Sequence, residues 1–126
     1  MEKKELRLGN LINLHENIVV EVSEIKDRSI ITSHDLEISY EYLSSIPLTE
    51  EWLLKFGFDK ITNEEGDFYQ KGYVRVSIDE YEDGWFNFRK RVPSQLWKDN
   101  LVTQIKFVHE LQSLYLLIEK EELNIR

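Results

Sequence analysis

Apolar and polar positions alternate with a period of two through most of the first 48 residues, and with a helical period only near residue 50 and at the end. Leu11 to Leu14, Ile18 to Ile25, Ser29 to Thr32 and Leu36 to Tyr40 read as strands, separated by His15-Glu16-Asn17, Asp27-Arg28 and Ser33-His34-Asp35. Tyr42 to Ser45 reads as a tight turn and Ile46 to Leu48 as a fifth short strand. That many short strands in under fifty residues predict a small curled sheet of SH3-like size. Thr49 then caps a helix with Glu50 and Glu51 in its first turn and Gly57 at its end, and Leu48 and Leu53 have the spacing of a hydrophobic staple.

Residues 66 to 92 predict a three-stranded meander. A three-residue loop at Glu82-Asp83-Gly84 sets Tyr81 opposite Trp85, Ile78 opposite Phe88 and Val76 opposite Lys90, with Val74, Val76, Ile78, Phe86, Phe88 and Val92 on one face. The same logic at Gln70-Lys71-Gly72 sets Phe68 opposite Val74. Residues 93 to 104 read as a connection. From Ile105 to about Lys120, Phe107, Val108, Leu111, Leu114, Tyr115 and Ile118 recur at helical spacing, and this stripe is expected to cover the apolar face of the meander beside Trp52 and Phe56. The predicted fold class is α+β: an N-terminal SH3-like β unit over residues 1–48 and an α-β-β-β-α unit over residues 49–126, packed as one compact body.

The two segments IPLTEEWLLKFGF (46–58) and VHELQSLYLLIEKEEL (108–123), with LRLGNLINL at 6–14, resemble paired segments in a group of small uncharacterised proteins. Bacteriophages, prophages and mobile elements of gut anaerobes encode that group. The resemblance implies an accessory protein acting in the bacterial cytoplasm. It brings no catalytic motif.

Charge narrows the partner. The chain carries 16 basic and 24 acidic residues, for a net −8. The first 48 residues hold 5 basic and 9 acidic side chains and the remainder 11 and 15, so the acidity is even, at −4 in each part. Such a chain repels phosphate backbones at long range. No apolar run is long enough to span a bilayer and no leader-like segment opens the chain, so a cytoplasmic protein with no membrane partner is expected. There is no cysteine, which removes disulfides, thiolate metal sites and cysteine catalysis.

Little in the sequence asks for chemistry. His15, His34 and His109 stand at no metal-ligand spacing, and the five glycines occur singly, so nothing cradles a phosphate. Asp79, Glu80, Glu82 and Asp83 lack the alternation of a calcium loop and read as a solvated hairpin tip, with Asp79 set to meet Arg89 across the strands. His109, Gln112 and Ser113 form a polar strip that could face a ligand but more often is the flank of an amphipathic helix. One constellation mixes rings with bases: Tyr73, Arg75, Tyr81, Trp85, Arg89 and Arg91 share the outer face of the meander, in the combination that binds single-stranded nucleic acid. The plainer reading packs those rings beneath neighbouring chain, with the arginines along the rim. The expectation is a non-enzymatic protein without cofactor or metal, contacting another protein through this face or the edge of the β unit. The rivals are single-stranded nucleic-acid binding, acidic inhibition of a host defence system and, least favoured, hydrolysis.

Overall fold

The structure, a computed structural model, describes Met1 and residues 5–15, 18–64, 66–91 and 101–125. The alternating N-terminal segment folds into five short strands: β1 (Leu11–Leu14), β2 (Ile18–Ile25), β3 (Ser29–Thr32), β4 (Glu37–Ser39) and β5 (Leu43–Ser44). They form one antiparallel sheet in the order β4-β3-β2-β1-β5. A 3-10 turn over Tyr40–Tyr42 carries the chain from β4 to the far side of β1, so the fifth strand falls at Leu43–Ser44, inside the expected tight turn, and Ile46–Leu48 is not the strand expected there: Pro47 makes an isolated bridge. Leu6, Ile12, Val22, Ile30, Ile38 and Leu43 are its buried core. Along β2 the strict alternation fails after Val22. The register shifts between Val22 and Glu24, so Ile25 rather than Glu24 stands opposite buried Ile30. A bulge thus keeps the apolar side chain on the core face.

The next apolar stretch forms helix α1 (Glu50–Lys55). Thr49 Oγ1 accepts the Trp52 N–H at 3.4 Å, as its capping residue type predicts. At the other end Gly57 adopts φ +88°, the Phe58 N–H donates to Leu53 O at 3.1 Å and the Gly57 N–H donates to Leu54 O at 3.0 Å. This is a Schellman closure, and buried Leu53 and Phe58 supply its apolar contact.

Five strands follow rather than three: β6 (Asp59–Asn63), β7 (Gly66–Lys71), β8 (Val74–Ile78), β9 (Phe86–Lys90) and β10 (Leu101–Ile105), in the order β10-β9-β8-β7-β6. The last lies inside the stretch expected to be a connection. Both expected registers change. Lys71 pairs with Val74 across a Gly72-Tyr73 turn in which Gly72 takes φ +59°, so Tyr69 rather than Phe68 joins the row of Val76. Ile78 pairs with Phe86, Val76 with Phe88 and Val74 with Lys90. The loop therefore runs from 79 to 85, closed by the Asp79 N–H donating to Trp85 O at 2.9 Å and the Tyr81 N–H donating to Asp79 Oδ1 at 3.1 Å. A shift of two residues preserves the faces, and Val74, Val76, Phe86 and Phe88 are buried together as expected; Ile78, expected with them, is exposed at the end of β8, and Val92 lies outside the described residues.

The terminal helix α2 (Val108–Glu119) starts three residues later than expected, because Ile105 closes β10. The Glu110 carboxylate accepts the Phe107 N–H at 2.9 Å at its start. The chain divides into two units, one of residues 1–47 and 107–120, the other of 48–106 and 121–126. α2 thus groups with the N-terminal sheet, where the sequence reading set it over the meander. The chain leaves the first unit after Pro47 and re-enters it at Phe107; these two form an antiparallel bridge, and the Val108 N–H donates to Ile46 O at 2.8 Å. The protein is α+β, with two antiparallel sheets and two α-helices among the described residues. Among the described residues no helix is long and apolar enough to cross a membrane.

Candidate functional site

One face of the second sheet carries Val74, Val76, Phe86 and Phe88 and is closed. The other carries a band of half-buried polar and cationic side chains: Gln70 on β7, Arg75 and Ser77 on β8, Asn87 and Arg89 on β9. The register sets Gln70 opposite Arg75, Arg75 opposite Arg89, and Ser77 opposite Asn87. Two arginines therefore stand directly across from each other on neighbouring strands, where side chains are within about 5 Å at their Cβ atoms.

Each guanidinium is held by its surroundings. Arg75 lies over the ring of buried Phe68, 3.5 Å from guanidinium carbon to ring centre, and its Nη2 donates to Gln70 Oε1 at 3.1 Å. Arg89 Nη1 donates to Ser77 Oγ at 3.2 Å. Its Nε is buried and, among the described residues, meets no acceptor. Phe68 reaches this face because of the two-residue turn, and Ile61 of β6 stands opposite it. The band ends at Gln104 of β10, whose Nε2 donates to Asn87 Oδ1 at 3.1 Å and to Asp79 Oδ2 at 2.6 Å. Asp79 is thereby engaged, and the expected Asp79–Arg89 pair is replaced by these contacts: Asp79 is level with Trp85, not Arg89.

The six sequence-predicted residues separate accordingly. Arg75 and Arg89 are brought together at the centre. Arg91 is exposed just past the end of β9, its N–H donating to Tyr73 O at 2.8 Å. Trp85 is half-buried at the opposite end of β9, with the Lys106 ammonium 5.5 Å from its ring. Tyr73 sits in the β7–β8 turn, 56% exposed, with the Lys90 ammonium 5.6 Å from its ring; Lys90 belongs to the row of Val74, on the closed face. Tyr81 is 92% exposed in the 79–85 loop. The rings thus edge the site rather than pave it. Phe68, Gln70, Ser77 and Gln104 are the members that sequence reading missed, and only a correct turn at Gly72-Tyr73 would have revealed the first two.

The other sequence candidates take structural places. His109 and Gln112 are buried in the first unit, and Gln112 and Ser113 bond the segment Gly9–Leu11. The His109 ring stacks on Phe107, centroids 5.9 Å apart, and burial holds its pKa below the ordinary value. Among the described residues no three histidine or acidic side chains gather as a metal site. Among the described residues the arginine band sets no nucleophile beside a base; planar donors over an aromatic floor are an arrangement able to take an anion. Comparison with protein-family models, with curated proteins and with solved structures gives no match.

Proposed function

We propose that this chain is a non-enzymatic binding protein that grips an acidic group of another protein between Arg75 and Arg89. The observation that carries this reading is the cross-strand placement of the two arginines. Like charges directly opposite on a sheet cost stability, and Arg89 has no ion pair among the described residues of a chain with 24 acidic side chains. A carboxylate from outside would relieve the repulsion and meet donors already oriented by Gln70, Ser77 and Phe68. The N-terminal unit is read as a small SH3-like barrel on its strand order and the 3-10 turn before β5. The segments at 6–14, 46–58 and 108–123 support an accessory role in a phage or mobile element, exercised in the bacterial cytoplasm.

Exposed Tyr81 and Arg91 favour single-stranded nucleic acid as the second reading, against which stands the net charge of −8. Affinity capture from host lysate, with and without nuclease, separates the two. The full chain should retain a protein after nuclease treatment, and Arg89→Glu should lose it. Capture abolished by nuclease transfers the site to nucleic acid. Capture by Arg89→Glu equal to that of the parent refutes the site.

A further inference from the structure

β4 is three residues long and ends the first sheet. In an antiparallel pair, hydrogen-bonded and non-bonded residue pairs alternate. The register runs Ser29 with Ser39, Ile30 with Ile38 and Ile31 with Glu37. The Tyr40 N–H donates to Arg28 O at 3.4 Å and the Thr32 N–H to Leu36 O at 2.9 Å. Arg28–Tyr40, Ile30–Ile38 and Thr32–Leu36 are thus the bonded pairs. The N–H and C=O of Glu37 and the N–H of Ser39 then point away from β3 and form the outer edge of the sheet, while the Ser39 C=O caps the 3-10 turn that follows. Three main-chain groups stand there in the spacing that an added strand requires, about 7 Å from one residue to the other.

An open groove of about 650 Å³ borders this edge. Leu14 and Ile38 give it apolar surface. His15 and Tyr42 form an aromatic wall, their rings edge to face at 5.8 Å, and Tyr42 is 51% exposed. Glu37, the acidic residue lining the groove, is already engaged: the Ser29 hydroxyl donates to it at 2.8 Å and the Lys26 ammonium is 3.7 Å away. Arg28 also lines the groove. It is exposed, and among the described residues its side chain makes no hydrogen bond or ion pair. The uncompensated charge of the groove is therefore positive, in a chain that is acidic elsewhere.

We infer that this groove takes an extended acidic peptide segment of a partner protein as an added strand beside β4. Its main chain bonds Glu37 and Ser39, one alternate side chain packs on Tyr42 and His15, and a carboxylate meets Arg28. The inference is independent of the arginine pair on the second sheet, and its failure would leave that reading untouched.

The test is a titration followed by amide proton–nitrogen NMR at low salt. The probe is an acetylated, amidated pentapeptide Thr-Val-Glu-Val-Thr, compared with its glutamine counterpart and with a version N-methylated at alternate amides. The amides of Glu37, Ser39 and Tyr42 and the Arg28 side chain should shift together. The glutamine peptide should bind about tenfold more weakly, as should the acidic peptide to Arg28→Glu. N-methylation should remove binding. Ser39→Pro should also remove it while keeping the fold, because Ser39 already has φ −67° and loses only an outward N–H. The inference is overturned if millimolar acidic peptide shifts none of these resonances, or if the N-methylated peptide binds as well. Concentration-dependent dimerisation through β4 would overturn it too, by assigning the edge to a second copy.

Discussion

Replacing Gln112 by leucine should be among the most damaging single changes in the first unit. The side chain is 2% exposed on α2. Its Oε1 accepts the Leu11 N–H at 2.8 Å and its Nε2 donates to Gly9 O at 3.1 Å, across more than a hundred residues of chain. Gly9 precedes β1 and Leu11 is its first residue, and β5 pairs only with Asn13 and Leu14, so no neighbouring strand takes over when the amide is lost. An unsatisfied buried group costs about 1–3 kcal/mol. Two of them, offset by roughly 1 kcal/mol of added apolar burial, give about 1–5 kcal/mol. That is a large fraction of the roughly 5–15 kcal/mol available to an ordinary domain. Urea unfolding followed by far-ultraviolet circular dichroism measures the loss, and hydrogen exchange at the Leu11 amide locates it. Gln112→Glu supplies the chemical control. A carboxylate still accepts from Leu11 but repels Gly9 O, so this variant should be destabilised at pH 7 and partly recover on acidification, when the protonated acid can donate. A Gln112→Leu protein within about 0.5 kcal/mol of the parent would refute the assignment of these two bonds as the tie between helix and sheet.

Three further outcomes follow from the same geometry. Burial of His109 lowers its pKa against the opposing pull of Glu110 and Glu5, so the unfolded chain takes up a proton that the folded chain refuses. Stability should be fully present above the ordinary histidine value of 6.5 and fall as pH drops from there toward the depressed value, with a slope of at most about 1.4 kcal/mol per pH unit; His109→Gln should flatten that slope, and an unchanged slope in the variant would place its origin elsewhere. The buried Tyr69 hydroxyl donates to the Glu50 carboxylate, which also accepts from Lys60 Nζ at 2.9 Å, and these bonds hold Glu50 below its usual pKa. Tyr69→Phe should therefore be less stable than the parent at pH 7, and the difference should shrink as pH falls below the ordinary carboxylate value of 4.5 and through the lowered value of folded Glu50. Arg89→Thr should leave thermal stability within about 1 kcal/mol of the parent, because it removes a like-charge contact along with one hydrogen bond, while abolishing partner capture; a loss above about 3 kcal/mol would assign the arginine to the fold instead.

What the chain announces is what its neighbours in sequence decide. The Thr49 cap and the Gly57 closure are local, and α1 lies where they predict it. β1, β2 and β3 are bounded by turns and alternation, and they match the reading to the residue. β10 carries no such signal: four of its five residues are exposed, so Leu101–Ile105 lacks the alternation that marks a half-buried strand. The terminal helix is legible but its orientation is not. Counting apolar residues selects Leu114 and Ile118, whereas the buried set is Val108, His109, Leu111, Gln112 and Tyr115. Gln112 holds a core position because the facing segment at 9–11 presents backbone groups that an aliphatic side chain would strand, and His109 holds one with its ring stacked on Phe107. A stripe says that a face is covered; what covers it depends on a partner more than a hundred residues away.

The arginine site shows why a wrong register can still find the right face. The sequence reading closes the β8–β9 hairpin too tightly, which sets Arg75 against Arg91; the structure sets it against Arg89. The two registers differ by two residues, and Arg89 and Arg91 are two residues apart, so either way an arginine faces an arginine. A sheet selected only for stability would place one of the chain's many carboxylates there and gain the cross-strand attraction that is instead forgone. Repulsion that survives both registers is written into the spacing of β9 and does not depend on the loop. On the proposed binding role that charge would meet an incoming acidic group, with buried Phe68 and half-buried Gln70 and Ser77 as the floor beneath it.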